Sequence, residues 1–223
     1  MFRTIIKARQ EHAFSAKIID EFLTMIGKSE EMLAYAFQIL TGEVKDKNAN
    51  ENIYLKDQSI NFTERDIRKR VLIHLSVNPN ANLPEYLALI SIAKDAERLG
   101  DYVKNFYELK QYLNKMNGDS PLFKEVFGVM GSELLTLFET VTGAFRTCDR
   151  EKARSAINQG HKIAKQCENT IDEIINTIDD VPHAVVLVLG TRYMKRIARH
   201  LANVASSVVN PMPDLDFSTR PKK

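Results

Sequence analysis

The chain has 223 residues, 44% of them hydrophobic and 27% charged, which excludes a disordered segment and supplies apolar material for one large core or two small ones. With 31 basic and 29 acidic residues the net charge is +2, so no field of one sign argues for nucleic acid or an anionic membrane as partner. Two cysteines, Cys148 and Cys167, are too few for a disulfide framework and carry no metal-ligand spacing, and the longest apolar run, Ala184–Leu189, is far below the roughly 18 residues of a spanning helix. A cytoplasmic protein with reduced thiols and no direct membrane insertion is the expectation.

The N-terminal stretch "MFRTIIKARQEHAF" lacks the apolar core and small-residue cleavage site of a signal peptide, so the chain reads as mature from Met1. Apolar residues then recur at helical spacing in Ile18/Phe22/Ile26/Leu33/Phe37/Leu40, in Ile53/Ile60/Ile67/Val71/Leu75 and in Ile92/Ala96/Leu99/Val103/Phe106. Three further helices are predicted over about 122–147, 151–178 and 183–209. Prolines mark the breaks, since proline is excluded from helix interiors: Pro79 and Pro84, Pro121, Pro182, and Pro211, Pro213 and Pro221 in the tail. Gly118-Asp119-Ser120-Pro121 divides the chain almost in half. The expected architecture is all-α, two tandem three-helix bundles over 1–117 and 118–210 with a short tail over 211–223. Each bundle is only about 100 residues, so the two are expected to pack on one another.

A repeat links the halves. "AERLGDYVKNF" (Ala96–Phe106) aligns with "MKRIARHLANV" (Met194–Val204), keeping the apolar frame while Glu97 becomes Lys195 and Asp101 becomes Arg199. Like charges one turn apart destabilise a helix by about 0.2–0.5 kcal/mol, and the intervening Gly100 costs about 1 kcal/mol against alanine. Either a solvated face, with Lys94 and Lys104 placed for intrahelical pairing, or a cation between the carboxylates accounts for the arrangement. If the last two helices of each half form antiparallel hairpins, Asp57 lies level with Asp101 and Asn61 with Glu97. In the second half Glu168 lies level with Arg199 and Asp172 with Lys195. At 100° per residue Glu97 and Asp101 point away from the Ile92/Leu99/Val103 stripe, so their site belongs to the bundle surface. The histidines, His12, His74, His161, His183 and His200, are scattered and read as surface or cap residues, and both cysteines read as small core residues.

In these residues the chain resembles the PhoU proteins of bacterial phosphate signalling. That family carries a "LERIGDxxxNIA"-like motif on the third helix of each of two bundles and a "DxxIN"-like motif on the second. "AERLGDYVKNF" and "DQSIN" (Asp57–Asn61) match them, whereas Asn82-Leu83-Pro84 departs from the family's usual Asp-Leu-Arg and the second-half motif survives only as a frame. The resemblance implies a divalent metal (Fe, Mn or Mg) held by Glu97 and Asp101, and more weakly by Asp57, Asn61 and Asn105; it implies no such role for Lys195 and Arg199. Oxygen-rich sites suit these hard cations. It further implies a non-enzymatic regulator that binds a membrane phosphate transporter or its sensor kinase, with a homodimer left open and no nucleic acid involved. Two alternatives stand beside it: a cytoplasmic helical adaptor without metal, and a ferritin-like di-iron carboxylate oxidase. The oxidase requires inward-facing Glu-x-x-His motifs, and the sequence has none.

Overall fold

A computed structural model describes residues 13–46, 48–113 and 121–215. The expected mature start and His12, the Gly118–Ser120 break with the 117/118 boundary, and the tail beyond Leu215 lie outside the described residues. Six long helices account for nearly everything else: α1 (Ala13–Leu40), α2 (Ala49–Val77), α3 (Leu83–Glu108), α4 (Met130–Thr147), α5 (Arg150–Thr177) and α6 (Val181–Val209), with no strand among the described residues. Local chemistry sets several ends. Asp149 caps α5 by accepting from the backbone N–H of Glu151 and Lys152, and Asp180 caps α6 by accepting from His183, with Pro182 in the first turn. At the end of α4, Cys148 turns into the left-handed region at φ 53°, which lets the Asp149 N–H reach the Ala144 carbonyl. Cys148 is therefore a half-buried cap and not the core residue expected. Cys167 is in the core, where burial pushes its thiol up to about 12.

The fourth helix departs from the sequence expectation in one respect. Instead of running unbroken from about residue 122, it begins as a short turn, Pro121–Lys124, widens into a π-helical turn over Glu125–Val129, and only then becomes α4. The extra residue in that turn lets Val126, Phe127 and Met130 all reach the interior. Phe127 stacks on Phe106 of α3 at 5.5 Å and meets Phe123 at 4.7 Å.

Helices α1, α2 and α3 pack together, as do α4, α5 and α6, and the two groups join along α3–α6 and α1–α4. Asp95 of α3 touches His200 and Asn203 of α6, while Tyr102, further along α3, lies near Tyr193, so these two helices run antiparallel. Phe22 of α1 packs on Phe145 of α4 with ring centroids 4.9 Å apart. Gly131 lies directly under the Phe37 ring, where a Cβ would fall 2.5 Å from a ring carbon. The buried apolar residues of both groups form one continuous cluster.

Candidate functional site

The acids that the sequence singles out meet in the groove between α2 and α3. Gly100 makes that groove narrow: a Cβ there would sit 3.0 Å from Ile60 Cδ1 and 3.7 Å from Asp57 Oδ1. The glycine's helix penalty is thus offset by close approach of the two helices. Alanine recovers about 1 kcal/mol of propensity while displacing only the tip of Ile60. We expect Gly100→Ala to melt within a few degrees of wild type, and Gly100→Val, which overfills the contact, to lose about 1–3 kcal/mol in denaturant titration.

Glu97 and Asp101 are half-buried, not outward-facing, and both are paired. Lys94 donates to Glu97 at 2.7 Å; Asp101 accepts from Arg98 and from Lys104, each at 3.3 Å. Lys104 also reaches across to α2 and donates to Asp57 Oδ2 at 2.7 Å, where the two side chains are 19% and 6% exposed. Burial pushes the Asp57 carboxyl above the usual carboxylate range, with Asp101 and Glu97 adding to the rise and Lys104 opposing it. Burial works against the Lys104 ammonium, yet hydrogen bonding and the charges of Asp57 and Asp101 hold its pKa above the ordinary value. The second oxygen of Asp57 and the side-chain oxygen of Asn61 are buried without a hydrogen-bond partner. Asn105 is half-buried one turn beyond Asp101, and no hydrogen bond links its side chain to the other four.

Two orphaned oxygens are what a cation would use, but the remaining donors do not converge as a metal centre. No three His, Cys, Asp or Glu side chains cluster in ligating geometry among the described residues. The Lys104 ammonium already lies between Asp57 and Asp101, so a divalent ion fits only with that side chain turned away. Lys104 makes the intrahelical pair with Asp101 that its spacing implies and adds a second, inter-helix contact to Asp57 that the sequence alone does not contain. Its spacing from Asp101 was visible as an intrahelical pair, but its reach to Asp57 needs the inter-helix distance.

The repeat in the second half has a different chemistry. Lys195 pairs with Glu168 at 2.8 Å, and Lys165 meets the same carboxylate at 3.3 Å, one helical turn from the expected Glu168–Arg199 register. Hydrogen bonding and charge from Lys195 and Lys165 hold the Glu168 carboxyl below its usual range. Between the bundles, His200 is no surface histidine. Its Nδ1 lies 2.7 Å from buried Asp95, which also accepts from Asn203 at 3.1 Å, and its ring stacks on Tyr102 at 5.5 Å.

Comparison with known proteins places this arrangement in context. A family model described as the PhoU domain matches residues 22–109 and again 127–208. An uncharacterised protein of Methanocaldococcus jannaschii is 26% identical over 212 residues, covering 88% of this chain and 70% of its own length. The fold is similar to that of PhoU from Pseudomonas aeruginosa, with a TM-score of 0.79 at 20% identity over 88% of this chain and 96% of that one. It is also similar to that of the phosphate transport system regulatory protein PhoU from Streptococcus pneumoniae, with a TM-score of 0.75 at 21% identity over 93% and 97%.

Proposed function

The chain belongs to the PhoU family, and from that premise we propose that it is a non-enzymatic, cytoplasmic regulator of phosphate uptake and phosphate-responsive signalling, acting by contact with a membrane phosphate transporter or its sensor kinase. Family membership implies the phosphate-regulation role; the mode of action is our reading. The observation that carries it is the match of the family model to both repeats, one on each three-helix bundle. None of the helices is long and apolar enough to cross a membrane among the described residues, which suits an accessory that acts on a membrane partner. Nothing in the sequence pairs a nucleophile with a base, and the histidine–carboxylate pair His200–Asp95 is used to tie two helices together.

Deleting the gene in its source cell should raise phosphate uptake or phosphate-responsive expression under phosphate-replete growth, and restoring the full chain should reverse it. Unchanged uptake and unchanged expression in the deletion strain would reject the assignment in favour of a helical adaptor with other duties. A divalent cation at Asp57, Asn61, Glu97, Asp101 and Asn105 belongs to this proposal only as a competitor of Lys104, and the lysine variant discussed below tests it.

A further inference from the structure

The α2–α3 and α5–α6 hairpins end in matching apolar tips of opposite charge. Ala96 corresponds to Met194 in the repeat, and carrying that frame back to the start of each helix sets Leu83 of α3 against Val181 of α6 and Leu87 against Val185. All four are exposed, Leu83 and Val185 at 50% and Val181 at 69%. The preceding helices add to each tip: Leu72, Ile73 and Val77 of α2 to the first, Ile175 of α5 to the second, all more than half exposed. Charge is where the tips differ. From Ile67 to Ala93 the bases are Arg68, Lys69 and Arg70, and the only acid, Glu85, is buried. Arg68 is held by Glu64, and Arg70 by Glu21 and Asp66, whereas Lys69 and, one turn earlier, Arg65 are exposed with no ion-pair partner among the described residues. The turn over Met212–Asp214, which packs on α3, adds one exposed acid, Asp214. At the second tip, from Asn169 to Thr191, there is no lysine or arginine, and Asp172, Glu173 and Asp179 are exposed and unpaired in the same sense beside the capping Asp180. The placement of the tips follows from the repeat. Helices α3 and α6 run antiparallel, and so do α1 and α4, since Phe22 meets Phe145 while Phe37 meets Gly131. An approximate half-turn about the α3–α6 seam therefore relates the halves, which leaves both tips on one side of the molecule and at opposite ends of it. About 40 Å separates them, the length of the 29 residues of α6 at 1.5 Å each.

We propose that the two tips recognise a second copy of this chain, which packs antiparallel on the first so that the basic tip of each covers the acidic tip of the other. The tips lie too far apart to meet within one molecule. A rotation about an axis across the line joining them exchanges their positions, so one two-fold operation makes the same contact twice and closes the dimer. Apolar side chains ringed by unlike charges are the composition of a specific interface, the aliphatic part supplying affinity and the charges setting register. In a parallel pairing basic tip would face basic and acidic would face acidic, so repulsion selects the antiparallel one. The exposed residues of the two tips, turns included, number about 20, the lower end of a standard interface side. The pairing does not depend on the phosphate-regulation reading, since a protein of any function with these two tips would dimerise.

The test is the mass of the full chain in solution, by light scattering after size exclusion over a dilution series. Wild type should run at twice the 25.4 kDa of the chain and dissociate on dilution, sooner in high salt. Arg65→Glu/Lys69→Glu makes both tips acidic, and Asp172→Lys/Glu173→Lys makes both basic. Either variant alone should be monomeric, its dissociation constant raised on the order of five-hundredfold, because four exposed contacts per dimer turn from attraction to repulsion at about fivefold apiece. An equimolar mixture of the two variants should recover the dimer, since each then meets an opposite tip at both ends. Leu83→Ser/Leu87→Ser, which leaves the charges in place, should shift the same equilibrium toward monomer. The substituted side chains are all exposed, so the helical circular dichroism of every variant should match wild type. A wild type that is monomeric at every concentration, a dimer unaffected by either charge reversal, reversed variants that stay monomeric when mixed, or a mass that climbs past the dimer would each overturn the proposal.

Discussion

Lys104→Met should cost about 2–3 kcal/mol of stability at neutral pH, because it leaves the buried Asp57 carboxylate facing Asp101 and Glu97 with its counter-charge removed. Breaking a fully buried pair costs about 3–5 kcal/mol, and the figure here is reduced because Lys104 is a fifth exposed. The pH dependence gives the cause away. A carboxyl whose folded pKa is raised holds its proton more tightly in the folded than in the unfolded state, so its contribution favours folding below the ordinary carboxylate range and is lost as pH rises through the raised value. The deficit of Lys104→Met should therefore shrink as pH falls through the Asp57 value and reach its full size above it. In wild type the raised ammonium pKa has its own consequence: the stability it contributes is complete below the ordinary lysine range and disappears as pH climbs past the folded value. Asp57→Asn added to Lys104→Met should restore most of the loss, since the buried group then carries no charge. The same melts with Mn²⁺ and with chelator decide what the acids serve. Stabilisation of Lys104→Met by Mn²⁺, with none for wild type, means that the lysine holds a cation's place; identical curves for both proteins retire the cation reading.

Phe22→Ala should be the most damaging single change in the α1–α4 contact, about 3–5 kcal/mol, because a fully buried ring is removed from a site that spans both bundles. Domain stabilities are typically about 5–15 kcal/mol, so the variant should sit near the edge of folding at 37 °C. Differential scanning calorimetry should show one transition at a lower temperature, with both bundles unfolding together. Two separated transitions would mean that the shared core does not couple the bundles. A double-mutant cycle with Phe145→Ala should give a coupling of about 0.5–1.5 kcal/mol, the range for aromatic pairs in contact.

How far the sequence carries depends on which distance a question needs. Helix positions follow from proline placement and apolar spacing, and all six long helices fall where those signals put them. The π turn at Glu125–Val129 was not legible, since one additional residue shifts a 3.6-residue pattern by less than its own scatter. Glu97 and Asp101 stand out by spacing alone, but Lys104 joins Asp57 through an inter-helix approach set by Gly100 and Ile60, which one helix's arithmetic does not contain. Glu168 meeting Lys195 and not Arg199 is the same failure in another form, because residues of the α5–α6 loop do not rise as helical residues do. A net charge of +2 concealed the unlike charges of the two hairpin tips, for a whole-chain sum averages over faces. Asp95 was missed although a signal was present: it borders the Ile92/Leu99 stripe, where an acid needs a partner, and that partner is His200, which reads from the sequence as a surface residue.

The position of Gly131 beneath the Phe37 ring has a consequence for how such a chain can change over generations. A tandem array whose repeats fold separately lets each copy drift, be exchanged or be lost. Here the first copy supplies the ring and the second supplies the missing side chain that makes room for it, so the fit belongs to neither copy alone. Any substitution that adds bulk at 131 demands a simultaneous reduction at 37, and a half transplanted from a relative with a different solution brings a clash or a void. The two copies are free to diverge in surface chemistry, as the exchange of Glu97 and Asp101 for Lys195 and Arg199 records, and are held in lockstep where they touch.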